Sequence, residues 1–299
     1  MKSLVPQNPP YSGNTKIMKQ VQVDIERRLV AVEEAEVYYN EKSKNYDETF
    51  SMLYFRVFDA ITWKYLEPYI PSNSDAMVLD AGGGTGRWTV RIAKKAPKVV
   101  LLDVSEGMLR VAALKIKQEG VEDRVVLKKG SIAKTGYADE TFDLIFCEHT
   151  LFLFEDPDAP LREFNRILKR KAPLIISAHN RYVQALARLS DNPNADNVKV
   201  ALETLLRRKS AYMTKDEKVK VNTWSPFEFQ DMLRKNGFHV EKIMGKGVTM
   251  PLRISKDVFM KKDYPENLFN SILRLELALC DKPDALALAG HMQAIARRE

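Results

Sequence analysis

The stretch Val78-Leu79-Asp80-Ala81-Gly82-Gly83-Gly84-Thr85-Gly86-Arg87-Trp88 constrains this chain more than any other. A short apolar run closes on an acidic residue and breaks into a glycine turn, the pattern of a β-strand that opens onto a bound ligand. Glycines in such a turn let the backbone adopt positive φ and let a ligand approach it closely. The spacing separates two kinds of ligand. A dinucleotide fingerprint needs its third glycine at position 87, where this chain has Arg87. The pattern is instead G-x-G-x-G, followed by Asp103 at the end of a second apolar run, Val99-Val100-Leu101-Leu102.

Strand patterns recur from Ala76 onward, at 76–81, 98–103, 124–129, 142–148 and 173–179. Several are near-continuous apolar runs, as buried parallel strands require. Helical patterns fall between most of them, at 85–95, 106–118 and 158–169, and Ser105 ahead of Met108 and Leu109 is a helix entry. Strands alternating with helices predict an α/β fold with a parallel sheet, whose ligands sit at the carboxyl ends of the strands. Gly82, Asp103, Ser131 and Glu148 all fall at such ends.

Toward the C-terminus, Ser225 caps a helix that starts at Pro226, runs through Lys235 and ends at Gly237. Strands follow at His239–Met244 and Met292–Arg297. Before the sheet, residues 1–15 read as disordered and Ile17 to Tyr69 as helical, up to the turn Pro71-Ser72-Asn73-Ser74-Asp75. Two further segments, about 181–223 and 250–288, exceed what the sheet needs and carry helical patterns at Val198–Arg208 and Asn267–Cys280. With residues 1–75 they are expected to form a helical cap over a domain at 76–299.

An apolar share of 45% and a charged share of 29% are those of a globular chain with ample core material. No run of 18 apolar residues and no secretory leader pattern is present, so no membrane span is expected. Cys147 and Cys280 are too few and too far apart for a disulfide framework or zinc motif, and a reducing, cytoplasmic compartment is expected. The histidines at 149, 179, 239 and 291 show no metal-ligand spacing. A formal net charge of +7 permits an anionic partner without establishing one, and Lys169-Arg170-Lys171, Arg207-Arg208-Lys209 and Lys261-Lys262 read as solvated helix ends.

The glycine turn together with Asp103 resembles the S-adenosylmethionine (SAM) site of the class I methyltransferases. The resemblance implies a seven-stranded Rossmann-like sheet whose last strand runs antiparallel, with SAM as cofactor. It places the glycine turn, Gly82, Gly83 and Gly84, under the methionine portion of SAM and Asp103 at its ribose hydroxyls, and counts Asp80, Ala81, Val104 and Met108 among the cofactor-binding residues. Ser131 and Ile132 stand where the family contacts the adenine, although the family commonly has an acidic residue at the first of these. Glu148 stands where the family faces the methionine end. Lys169-Arg170-Lys171-Ala172-Pro173 replaces the family's proline-glycine-glycine turn.

The segment Tyr38 to Asp47 resembles the aromatic element that closes over SAM in small-molecule methyltransferases, with Tyr46 the better cation–π candidate and Tyr38 and Tyr39 open between that role and helix packing. Arg56 lies 22 residues before Val78, as does an arginine that contacts SAM's carboxylate in the tRNA wobble-uridine carboxymethyl methyltransferases. Leu275 to Cys280 is also similar to that group.

Methyl transfer needs alignment above all, and a base only where the nucleophile carries a proton. His149 and Glu148 are the catalytic candidates, and His179 and Arg181 the candidates for holding the acceptor. The expected function is methylation of a small organic molecule. Its alternatives are a tRNA methyltransferase and a non-catalytic SAM-binding protein.

Overall fold

The computed structural model describes residues 36–191, 193–207, 211–212, 220–249 and 256–299. The expectations of disorder at 1–15 and of helix at 17–35, and the basic residues 208–209, lie outside them.

Seven strands form one sheet: β1 (Met77–Ala81), β2 (Lys98–Asp103), β3 (Val125–Lys129), β4 (Leu144–Cys147), β5 (Pro173–His179), β6 (Phe238–Lys246) and β7 (His291–Arg298). Their spatial order is β3-β2-β1-β4-β5-β7-β6. The first five are mutually parallel, and β7 runs antiparallel to both β5 and β6, as the methyltransferase resemblance implied. Strand order reverses beside β1, so the crevice above β1, β2 and β4 is the expected ligand position.

Period-two alternation divides the core into two layers. Leu79, Ala81, Val100 and Leu102 face one side, while Val78, Val99 and Leu101 face the other. The first layer is covered by α4 (Asp158–Ile167) and α7 (Pro226–Lys235), through Leu161, Phe164, Phe229 and Leu233. The second is covered by α2 (Arg87–Ala93) and α3 (Glu106–Gln118), through Trp88, Ile92, Ala112 and Ile116. Helix α2 begins two residues later than its sequence pattern because Gly86 holds a left-handed conformation, φ +75°. Phe142 leaves β4 to bridge Leu168 instead. In the turn before β5, Lys171 supplies the left-handed residue (φ +61°) where the family has glycine.

Among the described residues, the N-terminal helical pattern is broken into four pieces: residues 36–42, a 3-10 segment at Tyr46–Ser51, α1 (Leu53–Leu66) and a 3-10 turn at Glu67–Tyr69. Helix α1 presents Leu53, Val57 and Ile61, spaced by four, to Phe269 and Ile272 of α9 (Glu266–Leu279). Helices α5 (Arg181–Asp191) and α6 (Ala195–Arg207) pair with each other, a short ribbon joins Ala211–Tyr212 to Lys220–Val221, and α8 (Lys256–Phe259) precedes α9. Among the described residues, no helix is long and apolar enough to cross a membrane.

Candidate functional site

A cavity with about 1070 Å³ of empty space, counting its open mouth, lies at the carboxyl ends of β1 to β4. Tyr46, Gly82, Gly84, Asp103, Val104, Met108, Ser131, Ile132, Glu148 and His149 line it, so most of the residues singled out from sequence converge on one space.

The glycine loop is tied to β2. The N–H groups of Gly82 and Gly83 donate to the Leu102 carbonyl at 2.7 and 3.3 Å. Gly84 N–H donates to Asp103 Oδ2 at 2.9 Å and Ser105 N–H to Oδ1 at 2.8 Å. Both carboxylate oxygens are thereby fixed, and each keeps acceptor capacity for a further donor. Burial nevertheless holds the Asp103 pKa above the usual carboxylate range. At Gly82 φ is +75°, and a Cβ there would run into the Thr150 side chain.

Asp80, Ala81 and Gly83 are not on the cavity wall, contrary to expectation. The Asp80 carboxylate points beneath the loop, where it accepts a hydrogen bond from Thr89 Oγ1 at 2.5 Å. A Cβ on Gly83 would fall 2.9 Å from that carboxylate. Asp80 therefore shapes the turn from below, and burial raises its pKa to about 7.

Residues 36–51 close one side of the cavity. Asn40 Oδ1 accepts from Ser105 Oγ and Gly107 N–H, both at 2.8 Å, at the start of α3. Asp47 accepts from Thr85 Oγ1 at 2.6 Å and pairs with Lys115 at 2.5 Å. These anchors place Tyr46 on the cavity together with Tyr39, which sequence left open between packing and this wall; their rings meet edge to face at 6.1 Å.

Arg56 is placed elsewhere. It lies at the exposed edge of the α1 face that meets α9, ion-pairs with Glu266 at 3.8 Å and stacks over Phe269. Arg87 is the cation beside the glycine loop, paired with Asp59 and lying 3.7 Å over the Phe50 ring. Arg181 also turns away from the cavity: its guanidinium bonds the Thr223 carbonyl at 3.0 Å and Glu228 at 2.6 Å, in the capping box that opens α7.

Glu148 lies on the wall, bound through Oε1 to Lys246 Nζ at 2.8 Å. Lys246 is fully buried, donates also to Thr62 Oγ1 at 3.1 Å, and sits 4.0 Å from the Phe58 ring centroid. Burial drives the Lys246 pKa down while Glu148 opposes the shift. Sequence reasoning missed this lysine. The available signal was its period-two position with buried Met244 on β6.

Beside Glu148, His149 has φ +56°, a conformation rare outside glycine, and its N–H donates to Ser177 Oγ at 2.9 Å. Its ring stacks on Phe58 and meets His291 at 5.0 Å. His179 lies behind it, off the cavity wall, directly opposite His291 in the β5–β7 register, with centroids 4.4 Å apart. The fold thus gathers three histidines whose sequence spacing shows no pattern. Burial holds all three well below their ordinary pKa, His179 at about 3, so the rings are neutral at pH 7. His291 Nδ1 is 3.2 Å from Tyr54 Oη, but neither His179 nitrogen has a hydrogen-bond partner. Leaving a buried polar atom unpaired costs about 1–3 kcal/mol.

The solved structures this chain resembles include a SAM-dependent methyltransferase from Mesorhizobium loti, at TM-score 0.54 and 18% identity over 81% of this chain and 100% of that one. The [4+2]-cyclase SpnF matches with the same score and identity, over 80% of this chain and 81% of that one. At such identities the likeness concerns the fold alone. Among curated relatives, the demethylmenaquinone methyltransferase of Lactiplantibacillus plantarum is 41% identical over 105 residues, 34% of this chain and 44% of the relative. The ubiquinone/menaquinone biosynthesis C-methyltransferase of Hydrogenovibrio crunogenus is 34% identical over 113 residues, 37% of this chain and 44% of the relative. The chain thus spans less than half the length of these two relatives. A family model described as a methyltransferase domain matches residues 72–237, more than half of the 299 residues. With that match and the sheet order above, the chain belongs to the methyltransferase-domain family, with the class I fold.

Proposed function

We propose that the chain binds SAM in this cavity and methylates a small organic acceptor. One observation carries the reading: Gly82, Gly84, Asp103, Val104, Met108, Ser131 and Ile132, from three separate strand ends, line a single cavity. The residues suit the cofactor. Asp103 offers two fixed carboxylate oxygens to a vicinal diol, and the absence of a side chain at Gly82 leaves the loop backbone open to close approach. Tyr39 and Tyr46 offer aromatic rings to a sulfonium, and Ser131 and Ile132 a hydroxyl and an apolar face to a base.

When bound, SAM supplies an electrophilic methyl carbon. The chain then has to align an acceptor, exclude water and take up any proton released. In this reading Glu148 and His149 lie on the acceptor side. Glu148, whose Oε1 is engaged by Lys246 while Oε2 has no partner, and His149 are the groups placed to receive a proton. The neighbouring wall combines apolar Leu153, Phe154 and Ala159 with the acidic Glu155 and Asp156. Two curated relatives are named for demethylmenaquinone or ubiquinone/menaquinone methylation, which supports a quinol as the first acceptor class to test. The cap comprises the described parts of 1–75 and of the insertions at about 181–223 and 250–288. Two free, buried cysteines fit the reducing cytoplasm.

The test is calorimetry with SAM, followed by turnover assays with a demethylated quinol and with bulk tRNA. Binding with quinol methylation is the expected result. Methylation of tRNA alone transfers the reading to RNA, binding without turnover points to a non-catalytic protein, and no SAM binding ends the proposal.

A further inference from the structure

We propose that His149, His179 and His291 form a binding site for a divalent transition-metal ion, next to the cavity and sharing His149 with it. One ring nitrogen from each histidine lies within 4.8 Å of the others. Ligation at about 2.1 Å brings such nitrogens to within roughly 3.5–4 Å of one another, so the rings close by about 1 Å on binding. Two of the three are held on rigid supports. His179 and His291 are paired across β5 and β7, and His149 is fixed at the end of β4 by its hydrogen bond to Ser177.

The second observation is the state of His179. It is 5% exposed, packed 4.0 Å against the Phe152 ring, and neither of its nitrogens bonds to protein.

Charge around the cluster is compatible with a cation. Lys246 and Arg87 are the cations acting on these rings, and each is already paired, with Glu148 and Asp59 respectively. Glu148 Oε1 lies 3.4 Å from His149 Nε2, and Oε2 is buried without a partner, so a carboxylate stands beside the ion. Three imidazoles favour Zn(II), Co(II), Fe(II) or Ni(II) over Mg(II) or Ca(II), which prefer oxygen donors. Three protein ligands also leave a coordination position free. In the metal-bound form His149 is a ligand and not a base. The site rests on the histidine geometry and stands whether or not the chain transfers methyl groups.

The test uses tag-free full-length protein, stripped with chelator and titrated with Co(II) and with Zn(II). Expected are one ion per chain, a Co(II) spectrum of nitrogen-rich ligation, and a loss of affinity on the order of a hundredfold or more in His179→Ala and in His291→Ala. X-ray absorption of the wild-type Zn(II) complex counts the imidazoles without depending on whether a variant folds. Failure of the wild type to bind either ion, an oxygen-only shell, or full binding by a folded His179→Ala/His291→Ala double variant overturns the proposal. SAM calorimetry on the same samples reports on the cofactor reading separately.

Discussion

Lys246 and Glu148 form an ion pair at 2.8 Å, with their side chains 0% and 4% exposed, at the junction of α1, β4 and β6. Removing one partner leaves the other charge buried and uncompensated, at about 3–5 kcal/mol. Lys246→Met and Glu148→Leu are each expected to lose roughly that much stability. The double variant is expected to lose clearly less than the sum, because no unpaired charge remains. Urea unfolding of the four proteins measures the coupling. Additive losses would show that the pair does not interact as described.

Asp103 links the glycine loop to the proposed ribose site, since the same carboxylate accepts from Gly84 and Ser105. Asp103→Ala is expected to weaken SAM binding on the order of 10- to 100-fold, from the loss of charge-assisted bonds to a diol. It also orphans two backbone N–H groups and lowers stability by about 1–3 kcal/mol. Asp103→Asn keeps one acceptor and falls between. Calorimetry gives the first quantity and thermal melting the second. Unchanged SAM affinity in a folded Asp103→Ala protein would remove Asp103 from the cofactor site.

These two cases show where sequence was sufficient. Asp103 and the glycines were legible because a strand end and a turn are local patterns, and the cavity lies where such ends meet. Strands such as β4 and β5 were legible for the same reason, as short, wholly buried apolar runs, whereas β3 was read from its apolar start although none of its residues is buried. Lys246, His179 and His291 owe their positions to long-range pairing: His291 reaches His179 only through the β5–β7 register. Arg56 failed differently. Its distance from the glycine turn matched, but the packing of α1 on α9 sets Arg56 against Glu266 and Phe269, away from the cavity. Spacing along the chain does not determine which face of a helix is buried.

Gly82 and Gly84 both have positive φ, +75° and +54°, yet they differ in surroundings. A Cβ on Gly82 meets the Thr150 side chain, whereas one on Gly84 meets nothing within 4 Å. Gly84→Ala is therefore expected to cost only the left-handed strain, about 1–2 kcal/mol. Gly82→Ala adds a clash and displaces the loop after β4, so its SAM affinity is expected to fall well below that of Gly84→Ala. Parallel melting curves and SAM titrations decide it. Equal effects at the two positions would mean that Thr150 yields freely.

Asp80 gives the chain a pH dependence of definite sign. Burial raises its pKa from 3.8 to about 7, outweighing the hydrogen bond from Thr89. The native state therefore holds a proton that the unfolded chain releases near pH 4. This contribution favours folding below the unfolded value and is lost progressively as pH rises from about 4 to about 7. The full difference corresponds to roughly 3–4 kcal/mol by linkage. Asp80→Asn keeps an acceptor for Thr89 and cannot ionise, so it is expected to flatten this part of the stability profile and to melt higher than the wild type at pH 8. Melting of both proteins from pH 4 to pH 8 tests this. A wild-type curve parallel to that of Asp80→Asn across the window would show that Asp80 is ionised throughout.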